Sequence, residues 1–282
     1  MGTCTDGNLR STAQEKRKTI ETTTNRQIDD KELTEIIKAI KKNYNVNFFL
    51  LPDHFHQNVN EKINLNNQLT RVLTDPDMTL AISSQWTSFE YYTNDLSSKY
   101  KKRTRSIFKK GGDLKIKKLS KDDVFSEIDN LKILYENVYN KSSFSGPKFD
   151  ISIYLEFLND EFLEFNTYGF FINNTLIGFS SEIITGTTLY SYFIGIDYSY
   201  NTKYDLYNRM LYHTLESGIE KHIQQIKFGR TAAEIKSTVG AVPSSSIGAV
   251  YIENKLLNLL FKPFIKSIKP KSWVQRSPFK KQ

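Results

Sequence analysis

The segment Gly229-Arg230-Thr231-Ala232-Ala233-Glu234-Ile235-Lys236 groups the side chains best suited to chemistry in this sequence. The glycine lets the chain turn at the end of a predicted strand. Arg230 follows at a predicted helix start, where a guanidinium binds a phosphate or carboxylate through two parallel hydrogen bonds. Glu234 lies one helical turn further on the face of Arg230, and Lys236 points elsewhere. The alternative interpretation is a structural ion pair between Arg230 and Glu234, with Lys236 exposed to solvent.

A polar stretch, Asp197–Lys203, is the second candidate, predicted as a loop between a strand and a strong helix. Ligands bind at such positions in α/β sheets. Lys203 would stand near the positive end of the following helix, which suits an anionic ligand. We therefore expect Asp197, Lys203, Tyr204 and Lys236 to contact a cofactor. A place in the apolar stripe of the helix is the alternative for Tyr204 and for Tyr207, which belongs to the same candidate.

The sequence predicts neither a catalytic nucleophile nor a metal centre. The sequence contains no G-x-S-x-G motif. Its single cysteine, Cys4, lies in a polar stretch and excludes an internal disulfide and a cysteine-built zinc site. Asp53, His54, His56 and Glu61 are spaced too loosely for a ligand set, and we interpret them as surface residues.

Composition and charge limit the classes of protein. The chain has 282 residues, enough for one large or two small domains, and its 13 % aromatic content excludes wholesale disorder. No apolar run approaches the about 18 residues of a membrane helix, and the polar N-terminus lacks a signal-peptide core, which predicts a cytoplasmic location. The net charge is +8, with +9 in residues 99–118, +7 in residues 262–282 and −8 in the remainder. Such segments suit a nucleic acid, an anionic membrane face or a phosphate-rich cofactor, and a solvated basic surface is the alternative.

Periodicity predicts the elements that position these residues. Residues 1–28 are predicted to be a disordered polar tail. Helices are predicted over residues 29–40, 88–110, 122–140, 151–162, 204–222, 232–239 and 256–268, and residues 88–110 form either one long helix or two short ones. Strands are predicted over residues 46–51, 69–73, 78–82, 114–119, 167–172, 176–184, 188–196, 225–228 and 247–252. Strands and helices alternate after an antiparallel meander with Asn173-Asn174 as a turn, which predicts an α/β fold with a mixed sheet.

This order resembles the catalytic core of the GNAT superfamily of acyltransferases. The hairpin YGFFINNTLIGFSSEI takes the place of the central meander, and the helix after LYSYFIGIDYSYNTKY that of the helix facing the pyrophosphate of the acyl donor. Trp86 and the runs FEYYTNDLSSKYKKRTRS, FGRTAAEIKSTVGAVP and WVQRSPFK are similar to the Fem-type branch, which transfers acyl or aminoacyl groups onto amines.

The resemblance implies a GNAT-like domain over residues 88–282, preceded by a partial GNAT-like region over residues 29–87. It implies an N-acyltransferase with Arg230 and Glu234 as catalytic residues, no tightly bound cofactor, and acyl-CoA or aminoacyl-tRNA as co-substrate. The acceptor would be a small-molecule or cell-wall-precursor amine, with tRNA as a further partner if it carries the donor. The reaction cleft is expected between strand 188–196 and the turn at Gly229–Thr231.

One departure from the family concerns the donor. GNAT enzymes usually carry a glycine-rich turn whose N–H groups surround the pyrophosphate, whereas this sequence has Asn201-Thr202-Lys203-Tyr204-Asp205. The Fem-type branch often lacks that turn too. Two other functions stay open: a non-catalytic nucleic-acid-binding module that uses residues 99–118, and an inactive GNAT-like scaffold. The sequence leaves the donor, the acceptor and the oligomeric state undecided.

Overall fold

The computed structural model describes residues 30–44, 48–51, 69–142, 148–244, 247–270 and 272–280; the predicted tail at 1–28 lies outside them. The helices are α1 (Asp30–Tyr44), α2 (Phe89–Asp95), α3 (Ser98–Lys110), α4 (Lys121–Ser126), α5 (Ile128–Lys141), α6 (Tyr154–Phe157), α7 (Tyr198–Tyr204), α8 (Leu206–Glu220), α9 (Ala233–Ser237) and α10 (Lys255–Ser267). The strands are β1 (Phe48–Leu51), β2 (Leu69–Leu73), β3 (Asp77–Ala81), β4 (Lys115–Lys118), β5 (Glu164–Ile172), β6 (Thr175–Thr185), β7 (Thr188–Ile196), β8 (Gln225–Lys227), β9 (Val242–Ser244) and β10 (Ile247–Ile252).

Internal contacts divide the chain into two compact units. The smaller unit comprises Met1–Thr74 and Ser246–Lys271, and the larger comprises Asp75–Ser245 and Ser272–Gln282. The sequence-based division runs instead between residues 87 and 88. The two divisions differ because β3 pairs with β8 and β9 of the larger unit, whereas β10 pairs with β1 and β2 of the smaller.

The smaller unit is a three-stranded antiparallel sheet in the order β1-β10-β2. Helix α10 packs on β2 and β10. Ile265 of the helix is buried with Val72 and Val250 of the strands. The Thr70 hydroxyl donates to the Asn258 side-chain oxygen across this contact, at 3.3 Å. A short apolar core therefore joins one face of α10 to the sheet.

The larger unit contains a mixed sheet of seven strands in the order β4-β5-β6-β7-β8-β3-β9. Strands β5, β6 and β7 form the predicted antiparallel meander, and β7 and β8 are parallel. Asn173 and Asn174 have φ angles of 47° and 64°, as the predicted tight turn requires. Helix α8 packs on one face of the meander and α5 on the other. The mixed α/β fold predicted from the sequence is confirmed.

A bulge in β7 bends this strand in its middle. Ser181 of β6 stands opposite two residues, Tyr192 and Phe193, instead of one. Its hydroxyl donates to the Phe193 carbonyl (2.8 Å) and accepts from the Phe193 N–H (3.0 Å). The buried Tyr154 hydroxyl lies 2.7 Å from the same oxygen. Because a bulge bends a strand and increases its twist, the second half of β7 departs from the line set by its first half.

The loop predicted at residues 197–203 is wrong, because these residues begin helix α7. The Asp197 side chain accepts hydrogen bonds from the N–H (2.9 Å) and hydroxyl (2.6 Å) of Ser199 and so caps the helix start. The helix predicted from residue 204 begins only at Leu206. Asp205 adopts a left-handed conformation, with φ of 51°, and separates α7 from α8.

The helix predicted over residues 151–162 is much shorter than expected. It consists of a 3-10 turn at Ile151–Ile153 and the single turn of α6. The Asp160 side chain accepts from the Phe162 N–H at 2.8 Å and closes a local turn in place of further helix.

We expect Ser181→Ala to lower the free energy of unfolding by about 1–3 kcal/mol, because it leaves polar groups at the bulge without their partner. Urea-induced unfolding of the purified protein measures this change. Ser180→Ala is the matched control, since Ser180 is the adjacent buried serine of β6 and lies away from the bulge hydroxyl. Equal losses in the two variants would show that the bulge does not depend on Ser181.

Candidate functional site

The candidate site lies where β7 and β8 separate. The parallel pairing joins only residues 188–190 to residues 225–227. Strand β7 then continues to Ile196, whereas β8 ends and the chain turns at Gly229. A cavity of about 570 Å³ lies in this gap, between β7, α5, α8 and the turn 228–232. The family resemblance implied a reaction cleft at this place; a cavity lies here, and its role in a reaction stays a prediction. A second cavity, of about 410 Å³, lies in the smaller unit.

Aromatic side chains form much of the cavity wall. Tyr135 and Tyr139 project from α5, Tyr192 and Phe193 from the bulge of β7, and Tyr207 from α8. The rings of Tyr135 and Phe193 meet edge to face, with centroids 5.3 Å apart. Burial raises the pKa of Tyr207 to about 12, so this phenol stays neutral at physiological pH. Sequence reasoning named Tyr207 with the second candidate but missed the other four residues, although the aromatic run in LYSYFIGI was a usable signal.

The turn after β8 has an unusual backbone. Gly229, Thr231 and Ala232 have φ angles of 73°, 68° and 47°. Glycine adopts this region freely, whereas each of the other two residues costs on the order of 1–3 kcal/mol of strain. The Lys236 ammonium spans the turn and donates to the carbonyls of Gly229 (3.0 Å) and Arg230 (2.6 Å). These two bonds hold the turn in the shape that borders the cavity.

Lys236 is buried, with 6 % of its surface exposed, and it lines the cavity. The alternative of a solvated lysine is therefore wrong. Burial lowers the pKa of its ammonium group to about 8, and the negative charge of Asp77 opposes the shift. Because its protons point at backbone carbonyls, Lys236 acts on the geometry of the turn.

Arg230 and Glu234 take different places. The exposed Arg230 lines the cavity. It precedes α9, so the predicted shared helical face with Glu234 is wrong. The Glu234 carboxylate lies outside the lining and binds the Arg276 guanidinium, whose Nε donates at 3.1 Å. This ion pair lowers the pKa of Glu234, which makes it a weaker base than an ordinary glutamate.

The other predicted cofactor residues lie outside the cavity lining. Asp197 caps α7 as described above. Tyr204 is buried in the core beneath α8. Lys203 is exposed, and its ammonium lies 4.9 Å from the centre of the Tyr204 ring. The structure therefore brings Arg230 and Lys236 together at the cavity and leaves these three residues apart from it.

The start of α8 is occupied by the chain itself. The Asn201 side-chain oxygen accepts from the Tyr207 N–H at 2.9 Å. The Asn208 amide donates to the Asp205 carboxylate at 2.7 Å. A phosphate binding to this helix end would have to displace Asn201 and approach a carboxylate. The missing glycine-rich turn thus corresponds to a helix start that is already capped.

The part of the chain that the structure describes holds no group of three or more side chains suited to binding a metal ion. Asp53, His54, His56 and Glu61 lie outside the described residues.

Comparisons with known proteins agree with this geometry. Residues 98–237 match the family model described as the acetyltransferase (GNAT) domain. No curated protein sequence matches the chain. Among solved structures, the chain is similar to the C-terminal domain of a protein from Agrobacterium fabrum named as a lysylphosphatidylglycerol synthetase. The two are 9 % identical with a TM-score of 0.50, over 82 % of this chain and 75 % of that one.

Two further structures are more distant in shape. A GCN5-related N-acetyltransferase from Kribbella flavida is 9 % identical with a TM-score of 0.45, over 81 % of this chain and 78 % of that one. FemX is 10 % identical with a TM-score of 0.47, over 83 % and 79 %.

The mixed sheet and the family match agree on one class of protein, the GNAT-type acyltransferases. Residues 98–237 are a domain of this type, and the chain is an N-acyltransferase.

The lowered pKa of Lys236 predicts a pH dependence of stability. Its pKa falls from 10.5 in the unfolded chain to about 8 in the folded one. Between these values the unfolded chain binds more protons, so the free energy of unfolding should rise with pH by up to about 1.4 kcal/mol per unit.

Urea-induced unfolding at several values between pH 8 and 10 measures this slope. Lys236→Arg keeps donors for the turn and stays charged in both states, and Lys236→Met removes the titrating group. Both variants should lose the rise that the wild type shows. The same slope in all three proteins would contradict the assignment of the proton to Lys236.

Proposed function

We propose that the cleft transfers an acyl or aminoacyl group from a thioester or an aminoacyl ester to a primary amine. The observation that carries this proposal is the open edge of β7: no strand pairs with it on the β8 side beyond Tyr190 in the described residues. Backbone N–H and C=O groups along such an edge need partners. An extended substrate segment that contains amide groups, such as the arm of a thioester donor or a peptide that carries the acceptor amine, would satisfy them and reach into the cavity.

Two residues at the turn after β8 support anion binding at the cleft. Arg230 offers a planar guanidinium at its opening, which suits a phosphate or carboxylate of the donor or acceptor. Lys236 keeps the backbone of Arg230 in place through the bonds described above. Glu234 would then act through Arg276, by fixing the end of α9 that follows the turn, and not as the base for the amine.

The reaction needs few groups. The amine nitrogen attacks the carbonyl carbon, and the bond from this carbon to the sulfur or oxygen of the carrier breaks. The proton lost by the amine goes to the leaving thiolate or alkoxide, directly or through water. Backbone N–H groups of the β7 edge are suited to stabilise the oxyanion that forms in between. Aromatic walls at Tyr135, Tyr192 and Phe193 favour an apolar or aromatic acyl group.

For the donor, we favour an aminoacyl-tRNA over acyl-CoA, in line with the resemblance to the Fem-type branch. The capped start of α8 leaves no free turn for the pyrophosphate of coenzyme A. Helix α3 lies beside that start, where Arg103 donates to Asn208 at 3.4 Å. Lys102, Arg105 and Lys109 of α3 are exposed to solvent. A basic helix next to the donor side suits a polyanionic carrier, and a cell-wall-precursor or small-molecule amine would be the acceptor.

The same helix favours a second candidate function, a nucleic-acid-binding module without catalysis. Its exposed basic residues would contact phosphates in that case also. The two functions can be distinguished at Arg230, which lies in the cleft. Replacing it should lower a transfer rate if the protein is catalytic, whereas a module without catalysis shows no transfer.

Arg230→Ala should reduce the transfer rate about ten- to hundredfold, because a charged two-pronged contact contributes about 1.5–3 kcal/mol. Its thermal midpoint should change little, since the side chain is exposed. The rate is measured with aminoacylated tRNA, and in parallel with acyl-CoA, on a panel of primary amines. Arg230→Lys should retain part of the activity, and Lys118→Ala, an exposed cation on β4, should retain all of it. Full activity with a large loss of stability in Arg230→Ala would make Arg230 a structural residue.

Replacing Lys102, Arg105 and Lys109 by Gln should weaken tRNA binding and reduce its logarithmic salt slope by about two to three. Filter binding at several salt concentrations measures both. Lys115→Gln with Lys118→Gln is the control, because these exposed lysines lie on β4. If the wild type binds no tRNA at low salt, the proposed tRNA-linked donor is wrong and α3 is a solvated surface.

A further inference from the structure

The smaller unit carries an extended apolar surface on α10. Leu256, Leu260 and Phe264 follow one another at intervals of four residues and are 66–68 % exposed. A second row, consisting of Leu257, Phe261 and Ile268, is 44–50 % exposed. A soluble helix normally turns such rows toward a core. Here only Asn258 and Ile265 of the helix are buried against the sheet.

The apolar surface continues from α10 onto β1. Phe48 is 62 % and Leu50 51 % exposed. An open hollow of about 410 Å³ separates Phe48 from Phe261 and Phe264, and its lining is apolar except for Asn254. Exposed apolar patches of this extent mark interaction sites in native proteins.

Positive charge accompanies these rows. Lys255, Lys262 and Lys266 form a third row, at intervals of seven and four residues. Lys269 and Lys271 follow the helix, and residues 255–271 contain five lysines and no acidic residue. A basic row beside apolar rows of leucine and phenylalanine is the pattern of a helix that lies in the plane of a membrane interface. No helix of the described residues is long and apolar enough to cross a membrane.

We propose that α10 attaches the smaller unit to the surface of an anionic phospholipid bilayer. The rows of Leu260 and Leu257 would enter the boundary between headgroups and acyl chains. The lysines would remain at the level of the lipid phosphates, within reach of their charge. This proposal is independent of the function proposed for the cleft.

Charge favours an anionic bilayer over two other partners for this face of α10, a second copy of the chain and residues 1–28. A second copy of the chain docked on the same face would bring two segments of +5 together, which is unfavourable. Residues 1–28 carry a net +2 and only four large apolar residues, so they complement neither the charge nor the apolar area of α10. An anionic bilayer matches both.

Co-sedimentation of the full chain with vesicles tests the proposal. The protein should bind vesicles made of equal parts phosphatidylcholine and phosphatidylglycerol, bind pure phosphatidylcholine weakly, and lose affinity as salt increases. Replacing Lys255, Lys262 and Lys266 by Gln should cost about fivefold in partitioning for each lysine. Absence of binding to the anionic vesicles overturns the proposal.

Two neighbouring leucines provide a matched pair of variants. Leu260 and Leu259 are 67 % and 68 % exposed, but Leu259 lies on the side of the helix near Lys266. Leu260→Glu should weaken vesicle binding about tenfold or more, and Leu259→Glu much less. Equal effects of the two would contradict the orientation of the helix and the proposal with it.

Two further readouts identify other occupants. Size-exclusion chromatography with light scattering would show a dimer that Leu260→Glu dissolves if a second copy covers the face. A strong fall in thermal midpoint for Leu260→Glu without lipid would show that the chain itself covers it. Either result overturns the proposal, whereas a monomer of unchanged midpoint with weaker vesicle binding supports it.

Discussion

The three hydrogen-bonding interactions of the Ser181 hydroxyl determine the geometry of the cleft. They fix two residues of β7 opposite one residue of β6, and the strand must bend there. Strand β8 pairs with β7 over three residues just before this bulge, so the bend lies where the two strands separate. Tyr192 and Phe193 of the bulge form part of the aromatic wall of the cavity. The polar groups at the bulge are satisfied inside a packed core, which keeps the distortion in one place.

The other side of the cleft depends on contacts between residues distant in sequence. The strained turn after β8 is held by Lys236, and the helix that carries Lys236 is tied through Glu234 to Arg276, 42 residues further along the chain. Trp273 and Phe279 of the same late segment pack against the core of the larger unit. The segment 272–280 therefore supports the cleft without lining it. Two charged side chains that the sequence predicted to contact substrate or cofactor have partners within the protein instead. Lys236 binds the backbone carbonyls of Gly229 and Arg230, and Glu234 binds Arg276.

Local features explain why much of the fold could be predicted. The Asn173-Asn174 turn, the alternating strands on either side of it and the apolar stripe of α8 are encoded within a few residues, so the meander and its helix agree with prediction. The capped helix at Asp197 could also have been found, since aspartate is one of the residues favoured at a helix N-cap. It was hidden by the run of polar residues and tyrosines that follows, which has the composition of a loop.

The sequence by itself determined most of the order of elements and the mixed α/β fold, because these depend on periodicity, turn residues and strand order. Its resemblance to acyltransferases of the GNAT type agrees with the match of residues 98–237, and the reaction cleft between β7 and the turn at Gly229 stays a prediction. Only the tertiary structure decided which candidate side chains meet there. It placed Lys236 inside the protein, gave Glu234 to Arg276 and removed Asp197, Lys203 and Tyr204 from the lining. The physical reason is that a side chain binds whatever partner the packing brings within about 3 Å, and spacing along the chain does not contain that distance.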